Sequence, residues 1–409
     1  MSFDAGRCRR LDDRTKTPET GSPDVCFADA NVLTHVSARI AGGDAALTPA
    51  VDKLLCDADA ALGTEPLSVV DKPMPPPSGN KHDYMSVGPY WWPNPDTPDG
   101  LPYVRRDGEQ NPERENYDNV GQSKMSGAVQ TLATAYFFTG HDRYAEHAAN
   151  LLRVWYLYDA TRMNPHLEFG QAIPGRCDGR GIGIIDTACL PRLLDAVGML
   201  GASDAWSSAD RQGLEAWFGA YLDWLLTHPY GNNERGTQNN HGTWYDVQAA
   251  RFALFVGRIE PALEILQSVP HNRIARHFDP DGRQPHELAR TKSFSYSCMN
   301  LSAFFHLASM AGRFDIDLWR FETKDGRGLR RGLDWIVDHA FGDGEWDYPN
   351  LAPIEPHGIL PLLRLAAAAY DEPAYEEKLK EIAPPDWAAN RFNLLHPATE
   401  AILPGDAAR

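Results

Sequence analysis

Two consecutive stretches decide the fold: VGQSKMSGAVQTLATAYFFT (Val120–Thr139) and RYAEHAANLLRVWYLY (Arg143–Tyr158), separated only by Gly140-His141-Asp142. In each, apolar residues recur three and four positions apart, which puts them on one face of a helix. The glycine between them is the residue a helix uses to stop, and the short polar turn folds the second helix back on the first. Similar segments follow at Ile185–Leu200 with Ala205–Leu226, and at Gly242–Val256 with Ile259–Ser268. Glu287–Ala311 and Leu329–Ala340 continue the series, and Ile359–Tyr370 with Pro373–Ile382 close it. No strand alternation interrupts them. Repeated helical hairpins of irregular period predict an all-α solenoid or toroid, not a regular repeat array.

Upstream, helical periodicity runs from about Ala28 through Leu62. The prolines of Lys72–Asn80 forbid a helix there. Lys81–Pro112 is rich in Pro, Gly, Asp and aromatics, and reads as a long ordered loop of the kind that serves function. Residues 1–25 read as a loose lead-in, leaving residues 26–409 as a single domain.

The 409 residues carry a net charge of −17, which argues against a nucleic-acid partner. No apolar run approaches the roughly 18 residues a membrane span needs. The start, Met1–Arg10, lacks an apolar stretch behind its charges, so the expectation is a cytoplasmic protein. A periplasmic or secreted protein whose leader has been removed is the alternative. The six cysteines are far apart, with no C-x-x-C pair, and read as free thiols.

Three segments carry candidate chemistry. Gln238-Asn239-Asn240-His241-Gly242-Thr243-Trp244-Tyr245 gathers polar groups where a helix begins, and a helix N-terminus favours a carboxylate. Alone, it reads more readily as an N-cap followed by a surface histidine. Gln284 to Tyr296 places Arg290, Lys292 and Tyr296 together. It is not a zinc-protease motif, because Arg290 stands where H-E-x-x-H needs its second histidine. In one continuous helix Arg290 and Tyr296 would lie about 240° apart, so they converge only if the helix is broken or starts later. The third segment, Asn164–Gly175 with Gly179–Gly183, reads as a shaped loop lining a groove.

With Lys81-His82-Asp83-Tyr84 and Gly88-Pro89-Tyr90-Trp91-Trp92-Pro93, these motifs resemble the alginate lyase domain of the helical-toroid polysaccharide lyases. The resemblance is to polysaccharide lyase family thirty-eight and, more distantly, to family five. It implies an (α/α) toroid, no obligatory metal or cofactor, and an anionic polysaccharide such as alginate or glucuronan as partner. It also implies a catalytic centre of Asn240, His241, Arg290 and Tyr296. Candidate substrate-binding residues in the same motifs are Lys81, His82, Tyr90, Trp91, Trp92, Gln171, Arg180, Asn239, Trp244 and Lys292. The chain departs from many relatives in having Cys298 just after the tyrosine, and no leader is expected from Met1–Arg10.

β-Elimination on a uronate requires the carboxylate to be neutralised, the C5 proton removed and the departing oxygen protonated. Tyr296 has an ordinary pKa near 10, so a role as base predicts positive neighbours that lower it. The acidic chain predicts a local basic groove, with Arg105, Arg106 and Arg176 as further candidates. A glycoside hydrolase using Asp246 and Glu287, or a non-catalytic binding protein, is the competing expectation.

Overall fold

A computed structural model describes residues 22–398. Its fold is an (α/α) toroid, and the hairpins expected from periodicity supply it. Helices α1 (Ala30–Ala41) and α2 (Thr48–Ala61) replace the single run expected from Ala28 to Leu62, broken at Gly42 and Gly43. Helix α3 (Asp118–Thr139) stops at Gly140, whose φ of 68° is left-handed, and α4 (Asp142–Leu152) folds back on it. Next come α5 (Leu190–Met199), α6 (Ser208–Thr227) and α7 (Pro229–Arg235). They lead into α8 (Asn240–Phe255) and α9 (Ile259–Val269). The short α10 (Ala275–His277) and α11 (Pro285–Leu288) precede α12 (Ser293–Gly312) and α13 (Leu329–Phe341). Helices α14 (Leu360–Tyr370), α15 (Pro373–Ile382) and α16 (Phe392–Leu395) complete the chain.

Helices α3, α8 and α12 are buried on nearly every face and form the inner layer with α5 and α14. Helices α4, α6, α9, α13 and α15 pack outside them; α4, α9 and α13 bury only one stripe, and their sequences are clearly amphipathic. The C-terminal α16 returns to α1 and α2.

Two expectations are corrected. Of the loose lead-in, residues 1–21 lie outside the described residues, but Val25 is already buried, and its carbonyl accepts a 2.9 Å hydrogen bond from Arg313. Asp195 accepts from the amides of Cys26 and Phe27 at 3.0 and 2.7 Å, so packing begins just before residue 26. Short strands also exist: β1 (Met85–Val87), β2 (Trp91–Trp92), β3 (Val104–Arg105) and β4 (Phe169–Ala172). Strand β1 pairs in parallel with β4, and β2 pairs antiparallel with β3. At two to four residues they are too short to show alternation in a sequence. They order the long loop and fix it to the Asn164–Gly183 segment.

Candidate active site

The helix expected over Glu287–Ala311 is broken between α11 and α12. Residues 291–293 instead pair with residues 349–351: Leu351 N donates to Thr291 O at 2.9 Å, and Ser293 N donates to Pro349 O at 3.2 Å. The break removes the 240° separation. Arg290 Nη2 donates to the Tyr296 hydroxyl at 2.9 Å, and its guanidinium carbon sits 4.0 Å from the ring centroid. Asp107, on the long loop, holds the same guanidinium at 2.9 and 3.2 Å and also accepts from Thr291 Oγ1 at 3.0 Å. Burial works against ionisation of Asp107, yet Arg290 and Thr291 outweigh it and hold its carboxyl well below the usual range.

The Tyr90 hydroxyl lies 2.6 Å from that of Tyr296. Burial and this hydrogen bond push the Tyr296 phenol well above the ordinary tyrosine range, and Arg290 only partly opposes them. The expected lowering by positive neighbours is therefore reversed in the free protein, because desolvation of a phenolate costs more than one shared arginine returns.

Helix α8 starts at the Asn-Asn-His motif. Asn239 is its N-cap, accepting from His241 N at 3.3 Å. The helix N-terminus does bind a carboxylate, but the protein's own. Glu287 accepts from Asn240 N at 2.6 Å and from Asn240 Nδ2 at 2.7 Å, which leaves one amide hydrogen of Asn240 unused. Burial raises the Glu287 carboxyl while both Asn240 bonds pull it down. His241 Nδ1 lies 2.6 Å from the buried Glu234 carboxylate at the end of α7. Arg273 fastens the turn before α8, donating to Arg235 O and Thr237 O at 2.8 Å each while paired with Asp246 at 2.7 Å. Gly242 is required there, since a Cβ would meet Arg273 Nη1 and Thr237 O at 2.3 Å.

Asn240, His241, Arg290 and Tyr296 line one cavity of about 470 Å³. Tyr90, Trp91, Gln171, Arg180 and Asn239 line it too. Gln171 adopts a left-handed φ of 49°, which costs a non-glycine residue energy and marks an over-determined position. Its amide is committed, donating to the half-buried Asp186 at 2.8 Å and accepting from Arg180 at 3.1 Å. It therefore holds Arg180 in place. Among the described residues Arg180 pairs with no carboxylate, whereas Arg105 pairs with Asp107 at 2.7 Å.

The other candidates lie elsewhere. Lys292 lines a neighbouring cavity of about 440 Å³ that shares Met299 with the first. Trp244 is buried on the inner face of α8, its ring 5.7 Å from His306. Trp92 stacks under Arg106 at 5.0 Å, and Arg176 lies 5.1 Å over Trp91. Lys81 reaches Val70 O at 3.5 Å, and His82 Nδ1 lies 2.7 Å from Arg162 O. Glu234, Glu287 and Asp107 were missed as partners of the site. Glu287 and Asp107 lie in segments the sequence singled out, but nothing local shows which distant side chain each one meets.

The cavity lining holds Arg105, Arg180 and Arg290 but no Asp or Glu. A chain of net charge −17 has thus concentrated positive charge at one concave site, as an anionic ligand demands. The family model described as alginate lyase matches residues 68–346. The chain belongs to the alginate lyase family. The crystal structure of an alginate lyase from Bacteroides ovatus is 36% identical, with a TM-score of 0.87, covering 91% of this chain and 99% of that one. An alginate lyase from Sphingomonas species A1 shares the fold at 16% identity and a TM-score of 0.58, covering 90% and 95%. A variant of the Sphingomonas enzyme complexed with a tetrasaccharide matches at a TM-score of 0.55 and 16% identity, covering 83% and 94%. No curated protein matches the chain. This lyase is a polysaccharide lyase, and a hydrolase reading is not favoured. Asp246 is spent on Arg273, Glu287 is spent on Asn240, and neither lines the cavity.

Proposed function

We propose that the cavity cleaves a 1,4-linked uronic-acid polymer, alginate or glucuronan, by β-elimination, leaving 4,5-unsaturated uronate ends. The observation that carries this reading is the lining itself: arginines, an amide, an imidazole and a phenol, with no carboxylate. Such a set neutralises a substrate carboxylate and acidifies the proton beside it, and it lacks the carboxylate pair that glycoside hydrolysis needs. Arg180 and the free hydrogen of Asn240 receive the uronate carboxylate. Arg290 fixes Tyr296 and stabilises its phenolate when it forms.

In mannuronate and glucuronate the C5 hydrogen and C4 oxygen leave from one face, so Tyr296 serves as base and then acid. In guluronate they leave from opposite faces, and His241 is the base while Tyr296 is the acid. The aromatic rings of Tyr90 and Trp91 flank the sugars.

The test is ultraviolet absorbance of the unsaturated product with polymannuronate, polyguluronate and glucuronan supplied separately. A rise on at least one is expected. Folded protein that gives no rise on any of them, while new reducing ends appear, would overturn the reading.

A further inference from the structure

Glu234 ends α7, one turn of chain before the Asn-His motif, and is 1% exposed. Among the described residues no lysine or arginine pairs with it, and its carboxylate's one side-chain partner is His241 Nδ1 at 2.6 Å. A buried carboxylate without a cation must be satisfied by a strong donor, so the proton of a neutral imidazole resides on Nδ1. That leaves Nε2 as the nitrogen with a lone pair, and among the described residues it has no hydrogen-bond partner while His241 lines the cavity. Arg290 and Tyr296 complete the same wall chemistry, and Glu287 fixes the adjacent Asn240 in the same manner.

We propose that Glu234 is a positioning residue for the elimination: it binds the Nδ1–H of His241 and thereby presents Nε2 to the substrate as the base for guluronate. This rests on the uronan-lyase reading above. In the step, Nε2 takes the C5 proton, and the C5–H electron pair forms the C4=C5 double bond. The C4–O bond breaks, and the departing oxygen takes the Tyr296 proton. The imidazolium so formed lies against the Glu234 carboxylate, which offsets its charge, and the proton returns to the Tyr296 phenolate through solvent. An orienting carboxylate behind a catalytic histidine sets the tautomer without itself gaining a proton.

Ring-nitrogen NMR of isotope-labelled histidine tests this without any substrate, with the His241→Gln variant assigning the resonance. The neutral His241 ring is expected to carry its proton on Nδ1 in the wild type and to shift toward the Nε2–H form in Glu234→Gln. On polyguluronate, Glu234→Gln should lower kcat by roughly 10²- to 10⁴-fold with a much smaller change in KM. Glu234→Asp should restore part of both. A wild-type ring protonated on Nε2 would overturn the proposal, as would a Glu234→Gln enzyme with the wild-type tautomer and kcat. Wild-type cleavage confined to the other uronans would overturn the base role. If the wild type cleaves no uronan, the functional reading fails while the tautomer still decides the Glu234–His241 relation. Should Glu234→Gln not fold, the wild-type tautomer alone decides it.

Discussion

The hydroxyls of Tyr90 and Tyr296 lie 2.6 Å apart and join the long loop to the first turns of α12. Tyr296 also receives Arg290, so its oxygen is the meeting point of two chain segments and one cation. Tyr296→Phe removes the acid of every proposed elimination and should lower kcat by about 10²- to 10⁴-fold. Tyr90→Phe leaves the acid in place and should cost only about tenfold, roughly one hydrogen bond. Steady-state rates of both variants on the preferred uronan check the order; equal losses would contradict it.

Asp107 is the second anchor of Arg290. Asp107→Asn keeps the shape but weakens the charge-assisted bonds, so Arg290 is less firmly aimed at Tyr296. A loss of about 10- to 100-fold in kcat/KM is expected, in line with roughly 1.5–3 kcal/mol for bonds to charged groups. The melting temperature should fall little, since both side chains are partly exposed.

Arg180 is held by Gln171 through its carbonyl and amide oxygens, at 2.8 and 3.1 Å, and among the described residues pairs with no carboxylate. Arg180→Ala should therefore raise KM more than it lowers kcat. Binding of the polyanion should also weaken with added salt, less steeply in the variant than in the wild type. Kinetics at two ionic strengths test both statements.

Gly242→Ala places a Cβ 2.3 Å from both Arg273 Nη1 and Thr237 O. Both are fixed by hydrogen bonds, so the helix start must move. The expected cost is about 1–3 kcal/mol, typical of overpacking, with activity lost alongside stability because Asn240 and His241 ride on that turn. Denaturant unfolding and a rate assay on the same preparation would show whether the two fall together.

His277 is buried between Thr243 and the Phe304 ring. Burial, with the Arg273 and His286 charges, lowers its pKa to about 3. A depressed folded pKa means the unfolded chain takes up a proton that the fold refuses. Stability from this group is therefore complete above the unfolded pKa near 6.5 and lost progressively below it, down to about 3. Between pH 7.5 and 5.5 the wild type should lose about 1.4 kcal/mol relative to His277→Gln. Unfolding of both proteins at the two pH values measures the difference.

Much of this protein can be read along the chain. Helical hairpins depend on spacing within some forty residues, so Val120–Thr139 and Arg143–Tyr158 announce themselves, and Gly140 announces the turn. The Asn-Asn-His-Gly motif and the Arg290–Tyr296 segment are local too, and their side chains do line one cavity. Trp244 misleads because it shares the motif's helix face but sits one turn further along α8, where it is buried against His306, and the pattern of a wholly buried helix marks no boundary between lining and core.

Contacts made across the fold leave no such trace. Asp107 reaches Arg290 across 183 positions, and Glu287 reaches Asn240 across 47. The break before α12 is imposed by pairing with residues 349–351, not by a proline or glycine at the break. The charge state of Tyr296 follows from burial and from Tyr90, both consequences of packing. Periodicity and capping act within a few turns of chain and are written residue by residue. Desolvation and ion pairing depend on which distant segments meet, and they exist only once the toroid has closed around the cavity.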